Sequence, residues 1–292
     1  MVKEHTLDVE TDLYCLIGNP VSHSLSPLMH NYAFRKLGLN AVYLAFKVYE
    51  DMLQKAVEGL KAFNIKGANV TIPYKTSVIK YLDAIEEDAE KIGAVNTIKN
   101  LGGVLSGYNT DWTAAVDLLK ERVNNLKGLN ALIIGAGGVA RAIVYGLIKN
   151  GVNVTITDRT VENAEKMVND LKKQFEESIE CGVILLKDVK KEILRFNILI
   201  NATPIGMTPN INETPVNTEY LPSNIIVFDT VYNPFETLLV KKAKRIGCTV
   251  IEGYRMLVKQ GALAFKIWTG LAPPVEDMEK IVYSKLKGEL VE

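Results

Sequence analysis

Ala131-Leu-Ile-Ile-Gly-Ala-Gly-Gly-Val-Ala140 decides the fold of this chain. Its first four residues form an unbroken apolar run, as in a strand buried on both faces. Gly135-Ala-Gly-Gly-Val-Ala140 then fits the pattern G-x-G-x-x-[GA], and residues 139–149 have helical spacing. In such a turn Gly135 would allow the sharp exit from the strand. Gly137 would let the backbone approach a pyrophosphate, and Ala140 would permit close packing of helix on strand. The helix N-terminus adds free N–H groups and a partial positive charge. Gly135, Ala136, Gly137, Gly138 and Val139 are therefore the loop residues expected to meet the cofactor.

Downstream, residues 152–157 read as the next strand, and the acidic Asp158 closes it 23 positions after Gly135. Residues 161–175 have helical spacing, and 183–186, 198–201, 225–228 and 249–251 supply further strands. Strand, glycine turn, helix, strand is the order of a Rossmann-type sheet. An aspartate at this point bonds the adenosine ribose 2′-hydroxyl and favours NAD, whereas an arginine beside it accepts a 2′-phosphate and favours NADP. Asp158-Arg159-Thr160 offers both. The plainer alternative makes Asp158 a helix N-cap and Arg159 a solvated surface residue.

Upstream, residues 13–17, 43–48, 69–72, 97–98 and 104–108 read as short strands. Residues 28–37, 51–63, 77–82 and 88–92 read as helices between them, which predicts an α/β unit with a mostly parallel sheet. Ser26-Pro27 suits a helix start, serine at the N-cap and proline at the first helical position. Residues 111–122 form a helix between the two units, and 253–268 and 275–286 are helical segments that end the pattern. Residues 208–223 are polar, hold three prolines and read as a surface loop.

The upstream unit carries the candidate chemistry. Ser24 and Ser26 stand just before a helix, where two hydroxyls can bind a carboxylate; capping by Ser26 alone, with Ser24 idle, is the alternative. In Gly67-Ala-Asn-Val-Thr-Ile-Pro-Tyr-Lys75, Asn69, Thr71 and Lys75 gather at one strand end. Asn96 and Asp111 follow in Gly93-Ala-Val-Asn-Thr97 and Gly107-Tyr-Asn-Thr-Asp111. Amide, hydroxyl, ammonium and carboxylate together suit a polyhydroxylated ligand. Lys75 could move a proton with Asp111 orienting it; equally, the two could be a surface lysine and a helix-capping aspartate.

Composition narrows the classes. The chain has 292 residues, a formal net charge of zero and 48% hydrophobic residues, ample for two domains. Balanced charge gives no sign of a nucleic-acid or membrane-surface partner, and no apolar run approaches a membrane span. The polar, acidic first ten residues are not expected to be a signal peptide. Cys15, Cys181 and Cys248, widely spaced, read as reduced core thiols of a cytoplasmic protein. His5, His23 and His30 lack metal-ligand spacing, so no metal is expected. His23 beside the serines reads as a loop histidine close to a ligand at most.

In combination these segments resemble the shikimate dehydrogenase family, from about Tyr14 to Trp268. The matching stretches include Gly18-Asn-Pro-Val-Ser-His-Ser-Leu-Ser-Pro27, Asn69 to Lys75, Gly135 to Ala140, Asn201-Ala-Thr-Pro-Ile-Gly-Met207 and Val231-Tyr-Asn-Pro234. The resemblance implies two α/β domains, an N-terminal substrate-binding sheet and a Rossmann-type dinucleotide-binding domain. The expected bounds are residues 1–112 with 255–292, and 113–254. It implies NADP-dependent, reversible reduction of 3-dehydroshikimate to shikimate, on the route to chorismate and the aromatic amino acids. Ser24 and Ser26 would hold the substrate carboxylate, with Tyr232 nearby. Asn69, Thr71, Asn96, Asp111 and Gln260 would bind its hydroxyls. Lys75 would be the acid/base residue and Asp111 its partner. Thr203, Thr230, Gly253 and Met256 would line the nicotinamide side. Members that use NADP usually carry Asn-Arg-Thr where this chain has Asp158-Arg159-Thr160, and often an arginine at the position of Asn163. Arg159 and Thr160 favour NADP, and Asp158 keeps NAD as the alternative, in a quinate/shikimate dehydrogenase. A sensor that has lost catalysis is opposed by the presence of both Lys75 and Asp111. A homodimer is compatible with this reading.

Overall fold

Strands rich in Ile, Leu and Val alternate with amphipathic helices along the chain, and a computed structural model describes residues 7–175 and 179–289. His5 and the first six residues of the N-terminal stretch lie outside the described residues. The elements run β1 (Asp12–Gly18), α1 (Ser26–Lys36), β2 (Ala41–Lys47), α2 (Leu53–Ala62), β3 (Gly67–Val70), β4 (Ala84–Ile85), α3 (Glu87–Ile92), β5 (Thr97–Leu101) and β6 (Val104–Tyr108). They continue through α4 (Asp111–Lys120), β7 (Asn130–Ile134), α5 (Gly138–Lys149), β8 (Asn153–Thr157), α6 (Val161–Lys172), β9 (Cys181–Val183), α7 (Val189–Glu192) and β10 (Ile198–Asn201). The last are β11 (Ile226–Asp229), α8 (Leu238–Ile246), β12 (Thr249–Ile251), α9 (Gly253–Thr269) and α10 (Val275–Lys287). The chain divides into two compact units, Met1–Thr110 with Val258–Glu292, and Asp111–Leu257.

The first unit holds a six-stranded sheet in the order β2-β1-β3-β5-β6-β4. Three of its pairings are parallel, and β5 runs antiparallel to both neighbours. Gly67 opens β3 because the last turn of α9 lies against it: a Cβ there would sit 2.4 Å from the Trp268 ring. The Trp268 indole N–H donates to the Ile98 carbonyl at 2.9 Å, so the ring crosses β3 and is anchored on β5. α10 packs on α1, where Lys36 Nζ lies 2.7 Å from Asp277. β2 is an edge strand, and α1 closes part of that edge. The Asn31 side chain donates to the Tyr43 carbonyl at 2.8 Å and accepts the Tyr43 N–H at 2.7 Å, as a neighbouring strand would.

The second unit is a six-stranded sheet in the order β12-β11-β10-β7-β8-β9, parallel at every pairing. The chain builds outward from β7 to β9, then returns to β10 on the other side of β7. That reversal is the switch point of a doubly wound sheet. β7, β10 and β11 are apolar and buried, and each such Leu or Ile contributes about 1.5–3 kcal/mol by leaving water.

Several local expectations change. Residues 77–82 are not a helix but turns ending in a single 3₁₀ turn at Ile79–Tyr81, followed by the two-residue β4. The strand expected at 183–186 is β9, ending at Val183, and a 3₁₀ turn occupies Leu186–Asp188. β3 stops at Val70, so Thr71 lies just beyond it. Within 208–223, Val216, Thr218 and Leu221 are buried, so this is not purely a surface loop. All three cysteines are free and buried. Among the described residues no helix is long and apolar enough to cross a membrane.

Candidate active site

At the end of β7, Gly135 takes φ +112°, which strains any L side chain. A Cβ there would lie 2.9 Å from the Ala202 carbonyl oxygen and 2.9 Å from Thr203 Cγ2. Its N–H donates to the Thr157 carbonyl at 2.8 Å, which fastens the turn to the end of β8. Gly137 differs. It is exposed, and a Cβ there would meet nothing within 4 Å. It caps α5 without any side-chain bond, and the first turn, which Gly138 and Val139 begin, contains no acidic residue. The amides of that turn therefore have neither a side-chain cap nor a carboxylate of their own helix beside them. Ala136 is half-buried, and Ala140 is fully buried where α5 meets the sheet. These residues fit a dinucleotide pyrophosphate, which needs open space before a bare helix N-terminus.

Asp158 follows β8 directly. Its carboxylate accepts the Thr160 N–H at 2.8 Å, so it shapes the turn, while Thr160 is the N-cap residue of α6. Asp158 is thus not the helix N-cap of the plainer alternative. Arg159, Thr160 and Asn163 are exposed around this helix start.

A buried polar cluster ties the ends of β10 and β11 together. Asp229 accepts from Thr237 Oγ1 at 2.6 Å, Asn201 Nδ2 at 2.9 Å and the Val231 N–H at 3.1 Å. Asn201 Oδ1 in turn accepts from the Thr203 hydroxyl at 2.7 Å and the Thr203 N–H at 3.1 Å. Burial pushes the Asp229 carboxyl up to about 6, against the pull of its three hydrogen bonds. Thr203 and Thr230 are half-buried beside this cluster. Gly253 approaches so closely that a Cβ would lie 2.4 Å from the Val231 carbonyl oxygen. Met256 is buried and Tyr232 half-buried. Sequence reasoning missed Asp229 as a site-shaping group. The signal was a single polar residue ending each of two otherwise apolar strands, Ile198–Asn201 and Ile226–Asp229.

In the first unit a second network gathers Asn69, Asn96 and Gln260. Asn69 Oδ1 accepts the Tyr43 hydroxyl at 2.8 Å, and its Nδ2 donates to the Asn96 carbonyl and to Thr97 Oγ1, each at 3.2 Å. Asn96 Oδ1 accepts the Thr110 N–H at 2.8 Å, and Asn96 Nδ2 reaches Thr110 Oγ1 at 2.9 Å and Gln260 Oε1 at 3.5 Å. Tyr43, Thr97 and Thr110 were not singled out from sequence. Thr71 is set by backbone: its N–H donates to the Ile17 carbonyl at 3.0 Å, and a Cβ on Gly18 would lie 2.3 Å from Thr71 Cγ2. Lys75 is half-buried, with its carbonyl accepting the Val95 N–H at 2.7 Å. Asp111 begins α4 in the second unit and is buried.

The serines differ from expectation. Ser26 is the first residue of α1, not its N-cap, which is Leu25. Ser24 is not idle, because its Oγ accepts the Ser26 N–H at 3.2 Å. Ser26 is buried, whereas Ser24 is half-buried and His23 exposed.

A Rossmann sheet with an open glycine turn, in one chain with an α/β unit bearing hydroxyls, amides and a lysine, defines a dinucleotide-dependent oxidoreductase. Residues 16–98 match the shikimate dehydrogenase substrate binding domain, 117–229 the shikimate / quinate 5-dehydrogenase family and 253–283 the shikimate 5'-dehydrogenase C-terminal domain. Shikimate dehydrogenase (NADP(+)) of Methanocaldococcus jannaschii is 46% identical over 285 residues, 96% of this chain and 99% of that protein. The enzyme of the same name from Caldanaerobacter subterraneus is 43% identical over 97% of this chain and 99% of its own. A crystal structure of shikimate dehydrogenase in complex with NADP+ superposes with a TM-score of 0.90 at 44% identity, covering 96% of this chain and 98% of that one. The chain belongs to the shikimate dehydrogenase family.

Proposed function

We propose that this chain reduces 3-dehydroshikimate to shikimate, reversibly, with NADP. The observation that carries the reading is the open, uncapped glycine turn at Gly137, in a chain similar over 96–97% of its length to enzymes named for this reaction. Residues 113–254 form the dinucleotide-binding domain, and 1–112 with 255–292 bind substrate. The dinucleotide supplies the hydride acceptor and donor when bound. Gly135, Ala136, Gly137, Gly138 and Val139 hold its pyrophosphate at the N-terminus of α5. Arg159, Thr160 and Asn163, exposed around the start of α6, receive the 2′-phosphate. Asp158 is compatible with that phosphate because its carboxylate is turned onto the Thr160 N–H. Thr203, Thr230, Gly253 and Met256 border the nicotinamide.

Ser24 and Ser26, with Tyr232, bind the substrate carboxylate; Asn69, Thr71, Asn96, Asp111 and Gln260 bind its hydroxyls. The reacting oxygen gains or loses one proton in each direction. Lys75 gives or takes it, with Asp111 as its partner. A positioned ammonium suits this step because it reaches the oxygen on a flexible stem and returns its proton to water.

Shikimate oxidation assayed with NADP and NAD in parallel tests the reading. Catalytic efficiency should be higher with NADP. Higher efficiency with NAD would transfer the chain to the NAD-using alternative, and no oxidation with either would end the proposal. We place the enzyme in the cytoplasm, in keeping with its three buried free thiols. A homodimer is the assembly we expect, and sedimentation velocity decides it.

A further inference from the structure

Tyr43 is fully buried on the edge strand β2, and every part of it is held. Its backbone groups are taken by Asn31 of α1. Its ring stacks on His30 of the same helix, with centroids 4.5 Å apart and planes 15° from parallel. Its hydroxyl lies 2.8 Å from Asn69 Oδ1.

Proton counting gives this arrangement a direction. The Asn96 carbonyl can only accept, so the edge of Asn69 that faces it must be the NH₂ group. Asn69 therefore turns Oδ1 toward Tyr43, and the phenol is the donor in that bond. The single phenol proton is thereby used. Both N–H groups of Asn69 are consumed, by the Asn96 carbonyl and Thr97 Oγ1. What Asn69 retains is one lone pair on Oδ1.

We infer that Tyr43 is a positioning residue that anchors the Asn69 amide oxygen, whose orientation the Asn96 carbonyl sets, so that Asn69 accepts from a substrate hydroxyl that stays a hydroxyl throughout the reaction. This rests on the reading of Asn69 as a ligand of the substrate. A carbonyl oxygen at that place would meet the amide oxygen lone pair to lone pair, so Asn69 does not face the reacting carbon's oxygen. Replacing the hydroxyl it reads by fluorine removes the required donor and leaves the second lone pair of a buried acceptor unpaired.

The test is a double-mutant cycle of Tyr43→Phe and Asn69→Ala, read by calorimetric binding of shikimate. It is repeated with shikimate analogues in which each non-reacting hydroxyl in turn is replaced by fluorine. Tyr43→Phe keeps the ring on His30, and its melting temperature checks the fold. The wild type should bind one fluoro analogue about tenfold or more weaker than shikimate. In Tyr43→Phe that gap should shrink severalfold, NADP affinity should be unchanged, and the two substitutions should be strongly non-additive. Additive effects, or an unchanged gap between shikimate and every analogue, would overturn the inference. Turnover by the wild type is measured alongside. Binding without turnover would sink the proposed reaction and leave the cycle to decide the role of Tyr43; a wild type that binds no shikimate overturns both.

Discussion

Lys75 stands five residues beyond the end of β3, with its backbone pinned by the Val95 N–H and its side chain half-buried. A pinned backbone below a long, flexible side-chain stem suits a proton carrier. Lys75→Ala should lower kcat by about 10²–10⁴-fold while shikimate still binds, read by steady-state rates beside calorimetric titration. Unchanged turnover would remove Lys75 from the mechanism. Asn69 and Asn96, which the fold brings together, stood out in the sequence as polar residues within apolar stretches. Tyr43 and Thr110 did not. Tyr43 lies in an apolar run that reads as core, and only the tertiary fold brings its hydroxyl to Asn69, 26 positions away in sequence. The reading of Ser26 as an N-cap erred by one residue, because Ser24 reaches forward and takes the Ser26 N–H that a cap would otherwise have left exposed.

At the level of elements the glycine turn separates fold from function within three residues. Gly135 needs φ +112° and lies against Ala202 and Thr203, so Gly135→Ala combines backbone strain with a clash. It should cost about 1–3 kcal/mol and lower the melting temperature by several degrees. Gly137→Ala meets no atom within 4 Å and should melt within about a degree of wild type while its Michaelis constant for NADP rises about tenfold. Equal affinity for NADP in Gly137→Ala would mean that the pyrophosphate lies elsewhere. The periodic strands and helices of the second unit were readable because parallel strands buried on both faces leave long apolar runs. α8 went unread, although its Leu239, Val240 and Ala243 are buried, because Lys241, Lys242, Lys244 and Arg245 mask that stripe in a short span. The helix expected at 77–82 failed for another reason: Val78 is buried, but residues 77–82 make a single 3₁₀ turn, Ile79–Tyr81, before β4 pairs with β6.

At the scale of the whole molecule, two buried titratable groups in different units tilt stability in opposite directions. Burial pushes the His30 imidazole down to about 3 from an ordinary 6.5, and neither ring nitrogen has a hydrogen-bond partner among the described residues. Between those values the unfolded chain binds a proton that the folded chain does not. The His30 contribution is therefore intact above about pH 6.5 and lost as pH falls toward 3, by about 1.4 kcal/mol per unit at full slope. Burial raises Asp229 from 3.8 to about 6, so here the folded chain keeps a proton that the unfolded chain has released. Its contribution is intact below about pH 3.8 and lost as pH rises through about 6. From about pH 4 to 6 the two slopes are similar in size and opposite in sign, so a single unfolding transition conceals both. Substitution uncovers them. His30→Phe, which keeps a ring on Tyr43, should gain stability relative to wild type as pH is lowered from 6 to 4. Asp229→Asn should gain relative to wild type as pH is raised over the same interval. Urea denaturation at pH 4, 5 and 6 measures both differences, and variant curves that run parallel to the wild type across that interval would show that neither group carries the stated linkage.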